Sequence, residues 1–231
     1  MTISNRRGFL FRAASFAGVT LLERSRRLWP QLAAQKGFTQ DELLPLMKWM
    51  NAPASWTASE GRIKVRSRSK TDFWRKTFYG YVTDSGHFLH LPVEGDFAFE
   101  ARVGGDYAAL YDQAGLMVRL DPENWVKCGT ELVDGKRHAS VVFTRDFSDW
   151  STMDDLSNKG PVWWKAVRSK DSLETLCSLD GKKYHSVRQG YLAPGRPAEV
   201  GIMCAAPEGN GFDCVFENLR LTRPQQRTAE T

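Results

Sequence analysis

The chain is poor in the residues that build metal centres and nucleophile sites. Its 231 residues hold four cysteines and four histidines. No two cysteines form a CxxC pair, which excludes a zinc ribbon or a thioredoxin-type centre. His87 and His90 lie three apart in a strand-like run, so they face opposite sides and cannot clamp one metal. His138 and His185 are isolated. No Gly-x-Ser-x-Gly elbow is present to support acyl transfer. Gly209-x-Gly211 lacks the third glycine and the following helix of a dinucleotide loop. The apolar stretch 13–22 is too short to span a bilayer, so stable membrane insertion is not expected. Internal repeats and low-complexity stretches are also missing.

The body of the chain has no excess charge of either sign. The formal net charge is +5, but residues 1–48 hold eight of the 32 basic and three of the 27 acidic residues. The remainder therefore carries 24 of each. A neutral domain releases few counterions on meeting a polyanion, which argues against nucleic acid as a partner.

The basic N-terminus has its own pattern. Asn5-Arg6-Arg7-Gly8-Phe9-Leu10-Phe11-Arg12 resembles a twin-arginine export motif, and residues 13–22 supply a short apolar stretch behind it. Glu23-Arg24-Ser25-Arg26-Arg27 departs from that pattern by placing charge where a cleavage region is small and neutral; the only passable cleavage site is near Ala33-Ala34, which is late. Export is the favoured reading, with a cytoplasmic protein carrying a basic helix or tail as its alternative. The expected organisation is a leader over 1–34, a linker with a short helix over 35–48, one domain over 49–222 and a disordered tail over 223–231. Thr39-Gln40-Asp41-Glu42 reads as a capping box, with Pro45 limiting the helix it starts.

From Trp49 onward the hydrophobic period is two. Phe97, Phe99, Ala101 and Val103 alternate with polar or small residues, as do Ala114, Leu116, Val118 and Leu120. Val126, Cys128, Thr130 and Leu132 share a face opposite Trp125, Lys127, Gly129 and Glu131. Further strands are expected over 139–144, 162–168, 173–179, 184–189, 199–205 and 212–221. Turn signals such as Asp134-Gly135, Asp180-Gly181 and Gly209-Asn210-Gly211 separate them. With no long 3.6-period segment between strands, the pattern predicts an all-β sandwich. The four cysteines sit in apolar runs as small buried hydrophobes, and an oxidising compartment would allow a Cys204–Cys214 bridge.

Several stretches together carry a resemblance. They are Trp49-Met50-Asn51-Ala52-Pro53, Asp72-Phe73-Trp74-Arg75-Lys76-Thr77, Tyr111-Asp112-Gln113-Ala114-Gly115-Leu116-Met117, Asn124-Trp125-Val126-Lys127-Cys128-Gly129, Glu131 and Ser148-Asp149-Trp150-Ser151. They resemble an uncharacterised domain family that includes the yeast regulation-of-enolase protein and a bacterial protein from plant-cell-wall sugar utilisation clusters. The resemblance implies a concanavalin A-like lectin/glucanase fold, a jelly-roll sandwich of two antiparallel sheets. That fold hosts lectins, hydrolases and interaction domains, so it implies function only weakly.

The polar face of the strand through Trp125, Lys127 and Glu131 is the first place to seek chemistry. An indole beside a carboxylate and an ammonium suits a sugar, offering an apolar surface to stack on and charged partners for hydroxyls. Asp72, Trp74, Arg75, Tyr111, Asp112, Gln113, Arg119, Asp149 and Trp150 are of the same chemical type and occupy the family's signature stretches. The sequence thus points to a carbohydrate ligand, with Trp125 and Trp74 stacking on it. A regulatory domain binding a protein partner is the second reading. A glycosidase or lyase is the third, using Glu131 with Asp112 or with Asp149 as its carboxylate pair. Against catalysis, the Glu-x-Asp-x-x-Glu strand motif of the glucanases of this fold does not occur. No cofactor is expected. Asp154-Asp155 are the residues a loop calcium would use, although adjacent loop acids are ordinarily just solvated.

Overall fold

The computed structural model describes residues 37–153, Leu156 and residues 160–224. The paired arginines and the rest of the leader, Asp154-Asp155, and residues 225–231 of the tail lie outside the described residues.

Two large antiparallel sheets face each other. The back sheet is built from β1 (Phe38–Thr39), β3 (Ser55–Ser59), β4 (Arg62–Arg66), β8 (Phe97–Gly105), β13 (Val162–Ser169), β14 (Ser172–Ser178), β15 (His185–Tyr191) and β17 (Asp213–Thr222). The front sheet is built from β2 (Lys48–Met50), β7 (His87–Val93), β9 (Gln113–Asp121), β10 (Asn124–Val133), β11 (Lys136–Arg145), β12 (Phe147–Met153) and β16 (Ala198–Ala205). In space the back sheet runs β15-β14-β13-β8-β17-β4-β3, with β1 added beside β17; the front runs β12-β11-β10-β9-β16-β7-β2. A small hairpin, β5 (Phe73–Arg75) with β6 (Val82–Asp84), belongs to neither. The all-β sandwich expected from the period-two runs is therefore present. Among the described residues no helix is long and apolar enough to cross a membrane.

Alternation explains the core. Phe97, Phe99, Ala101 and Val103 of β8 point inward to meet Leu116 and Val118 of β9, Val126 and Cys128 of β10, and Val141 and Phe143 of β11. Each fully buried side chain of this size contributes about 1.5–3 kcal/mol. All four cysteines are buried, free thiols. Cys204 of β16 and Cys214 of β17, the pair an oxidising compartment would bridge, are free here and belong to opposite sheets.

The front sheet differs from the back in being covered on both sides. Its outer face carries a second apolar cluster, in which Phe73 and Trp74 of the hairpin pack on Phe88, Met117, Trp125, Val142 and Met203. Polar staples hold the hairpin there. The Arg119 guanidinium donates to both oxygens of Asp84 at 2.8 and 2.7 Å, Lys127 Nζ donates to the Phe73 carbonyl at 2.7 Å, and Asn51 Nδ2 donates to the carbonyls of Asp84 and Gly86.

The segment expected to be a linker joins the fold. Phe38 and Leu43 are buried in the main core, β1 pairs with β17, and Lys48–Met50 forms the edge of the front sheet. The capping box forms as expected: Thr39 donates to Glu42 Oε2 from both N and Oγ1 at 2.8 Å, starting the helical turn Gln40–Leu43.

Candidate functional site

The outer face of the front sheet, where the hairpin leaves it uncovered, holds a cavity of about 150 Å³. Its floor is made by side chains that alternation turns away from the core. Gln113 comes from β9, and Lys127 and Glu131 come from β10. Asp72, just before β5, completes the set. Between them the sheet is bare, because Gly115 and Gly129 stand opposite each other in register. A Cβ on Gly115 would lie 2.0 Å from the Cys128 carbonyl oxygen, and one on Gly129 would lie 2.3 Å from that of Ala114. These atoms are backbone and cannot move aside, so only glycine fits.

The floor is one hydrogen-bonded network. Gln113 Nε2 lies 3.4 Å from both Glu131 Oε1 and Asp72 Oδ1, and 3.2 Å from the Tyr111 carbonyl. Lys127 Nζ, already donating to Phe73, lies 3.2 Å from Asp72 Oδ1. Trp150 Nε1 donates to Glu131 Oε2 and to Ser140 Oγ, both at 3.0 Å. Burial pushes the Glu131 carboxyl above the usual range, with the nearby Lys127 charge opposing that shift. Its hydrogen-bond partners, the N–H groups of Trp150 and Gln113 and the Ser140 hydroxyl, are all neutral, and Lys127 acts on it only as a nearby charge.

Aromatic rings make the walls: Trp74, Tyr79, Tyr81, Tyr111 and Trp150. Tyr79 and Tyr81 stack with centroids 5.5 Å apart, and Trp74 meets Tyr79 edge-on at 5.7 Å. The hydroxyls of Tyr79 and Tyr111 sit 3.3 Å apart across the mouth. That contact, with burial second, pushes the Tyr111 phenol up to about 12. Tyr111 itself occupies the left-handed region at φ 64°, a conformation few side-chain-bearing residues adopt. Its N–H donates to the Leu132 carbonyl at 2.7 Å, which fixes the backbone that carries the ring. A second hollow, of about 590 Å³, shares the rings of Trp74, Tyr79 and Trp150 and is bounded by Phe78 and Phe147. Phe78, at the hairpin tip, is 92% exposed.

Seven of the twelve residues singled out from sequence meet at the first cavity: Asp72, Trp74, Tyr111, Gln113, Lys127, Glu131 and Trp150. The other five do not. Trp125 is 1% exposed, packs under Phe73 and donates Nε1 to the Pro122 carbonyl. It shares a strand face with Glu131, as alternation requires, but the hairpin covers it, so it cannot stack on a ligand. Arg119 is spent on Asp84, and Arg75 on Asp146 and Glu123. Asp112 is buried, with Oδ2 accepting the N–H groups of Ala108 and Ala109 to fix the loop before β9. Asp149 borders the second hollow, but it sits on the opposite face of β12 from Trp150 and pairs with Arg188 at 2.6 Å. The carboxylate pairs Glu131 with Asp112 and Glu131 with Asp149 are thus not assembled. The acid that accompanies Glu131 is Asp72, joined to it through Gln113. Among the described residues no group of three or more metal-ligating side chains is gathered. His87 and His90 face opposite sides: His87 binds the Asn51 carbonyl, and His90 binds Glu199.

Tyr79, Tyr81 and Glu208 line the cavity without having been identified from sequence. Phe78-Tyr79-Gly80-Tyr81, three rings about a glycine directly after the Trp74 stretch, was the available signal.

Residues 49–224 match the family described as "Protein of unknown function (DUF1349)". The protein called Regulation of enolase protein 1, from Saccharomyces cerevisiae, is 40% identical over 176 residues, covering 76% of this chain and 89% of that protein. The crystal structure of a functionally unknown protein from Saccharomyces cerevisiae superposes with a TM-score of 0.76 at 38% identity, covering 79% of this chain and 99% of that one. Lectin I-B4 from Griffonia simplicifolia, in a metal-free form, superposes with a TM-score of 0.53 at 10% identity, covering 83% of this chain and all of that one. The last likeness is one of fold alone.

Proposed function

This chain belongs to the DUF1349 family, and from that premise we propose that it is a carbohydrate-recognition protein whose ligand lies along the outer face of the front sheet. One observation carries the reading: a ring-sized cavity with a charged, hydrogen-bonding floor and aromatic walls lies beside a larger aromatic hollow, with which it shares the rings of Trp74, Tyr79 and Trp150. Cavities of about 150 Å³ accept a single six-membered ring. Sugars need both surfaces, ring faces for their C–H groups and carboxylate, amide and ammonium for their hydroxyls. The adjoining hollow beyond Trp74 and Trp150 offers rings for further units, which makes an oligosaccharide the natural ligand rather than a monosaccharide. Glu131, Gln113, Lys127 and Asp72 orient the unit in the cavity, while Trp150, Tyr79 and Trp74 support the chain.

The test is titration of a panel of plant and microbial oligosaccharides against intrinsic tryptophan fluorescence. A ligand should quench the wild type, and Trp150→Ala should remove the response. Equal binding by wild type and Trp150→Ala would defeat the proposal, as would the absence of any sugar that binds. The yeast relative's name speaks of regulating enolase, and a protein partner seated on the exposed rings of Phe78 and Phe147 is the competing reading. That reading predicts a stoichiometric complex that oligosaccharides fail to displace.

A further inference from the structure

The charges around the cavity do not balance. Three carboxylates line it, those of Asp72, Glu131 and Glu208, against one ammonium, that of Lys127. The Lys127 ammonium is committed to Asp72 and to the Phe73 carbonyl. Glu208, at the mouth, pairs with exposed Lys70 at 3.4 Å. What remains is Glu131, 5% exposed, hydrogen-bonded by Trp150, Gln113 and the Ser140 hydroxyl; the Lys127 charge acts on it without forming an ion pair. A buried carboxylate that makes no ion pair is costly, and the cost falls when a cation arrives against it. Around that acid stand the electron-rich rings of Tyr79, Tyr81, Tyr111, Trp74 and Trp150, and rings attract cations through the negative potential of their faces. A neutral sugar would satisfy the hydrogen bonds but leave Glu131 unneutralised.

We infer that the cavity selects a ligand bearing a positively charged nitrogen, with Glu131 as its counter-ion and the tyrosine and tryptophan rings as its cage. The inference rests on the carbohydrate reading for the rest of the ligand, which makes the preferred sugar an amino sugar with a free amine. An alkylammonium head group on another molecule presents the same chemistry, and the experiment separates the two sources.

Three probes are titrated against wild type and Glu131→Gln: a fully deacetylated glucosamine oligomer, the N-acetylated oligomer of the same length, and tetramethylammonium. Glu131→Gln keeps the shape of the site and removes only its charge, and near-ultraviolet circular dichroism checks that it folds. The expected result is that the free-amine oligomer binds wild type at least about tenfold more tightly than the acetylated one, a preference that Glu131→Gln abolishes. Equal affinity for both oligomers would overturn the ammonium inference and leave carbohydrate recognition standing. Binding of tetramethylammonium with no sugar bound would sustain the cation site and remove the carbohydrate reading. Undiminished amine preference in Glu131→Gln would overturn the role of Glu131, and failure of every probe would overturn both proposals.

Discussion

Two tryptophans on one sheet face separate structure from recognition, and replacing each in turn tests the description of the site. Trp125 is 1% exposed beneath Phe73, in a cluster with Phe88, Met117, Val142 and Met203. Truncation to alanine leaves a void between the sheet and the hairpin, and removal of a buried aromatic of this kind costs about 3–5 kcal/mol. For a domain of this size each kcal/mol lowers Tm by about 2–4 °C, so Trp125→Ala should melt about 6–20 °C below wild type. Trp150 is 39% exposed and loses mainly its bonds to Glu131 and Ser140, so Trp150→Ala should cost about 1–2 kcal/mol. Its expected signature is a small melting shift with complete loss of ligand response. Thermal melts followed by circular dichroism, beside fluorescence titrations on the same samples, measure both quantities. If Trp125→Ala melted within about 3 °C of wild type while its binding vanished, the assignment of that residue to packing would be wrong.

Glu131→Gln should raise stability at neutral pH while removing recognition. Burial raises this carboxyl in the folded state, so the folded chain holds the proton more tightly than the unfolded chain. Below the ordinary carboxyl range both states are protonated and nothing is lost; as pH climbs through the raised value, the buried group must ionise and stability falls. The uncharged variant escapes that fall. Urea titrations should therefore show it ahead of wild type at pH 7–8 and level with it below about pH 4, and a gain unchanged across that range would contradict the argument. Asp84→Ala should free the hairpin, because it leaves the Arg119 guanidinium without its acid; we expect a loss of about 1–3 kcal/mol, reduced by the partial exposure of Asp84. Limited proteolysis should then cut residues 76–81 faster than in wild type, and an unchanged cleavage rate would show that apolar packing alone holds the hairpin.

What the sequence made legible was whatever repeats at period two over many residues. The runs through Phe97, Leu116 and Val126 became central strands, with their inward faces as read. Alternation divides a strand into two faces but does not say which one meets water. On a sheet covered from both sides, the non-core face of β10 therefore divided between packing at Trp125 and the cavity at Lys127 and Glu131. Strands β5 and β6 are three residues each, too short to show a period, and without them neither the covering of Trp125 nor the arrival of Tyr79 and Tyr81 could be foreseen. The acids Asp112, Asp149 and Glu131 looked equivalent as side chains. Their roles separated only when backbone N–H groups claimed the first and Arg188 the second. Phe38 stood alone among polar residues and Leu43 opened an apolar run too short to show a period, and their burial follows from β1 docking beside β17.

The small hairpin gives the molecule a division of labour. Asp72, Trp74, Tyr79 and Tyr81 all come from one stretch of fifteen residues, 72–86, that contributes no strand to either large sheet. Changes in that stretch that keep Phe73 and the Asp84 staple can remake the cavity wall while both sheets keep their register and the core between them its packing. Relatives sharing the sandwich are therefore free to differ in what they hold, and exchanging this one stretch between two of them should carry ligand preference along with it.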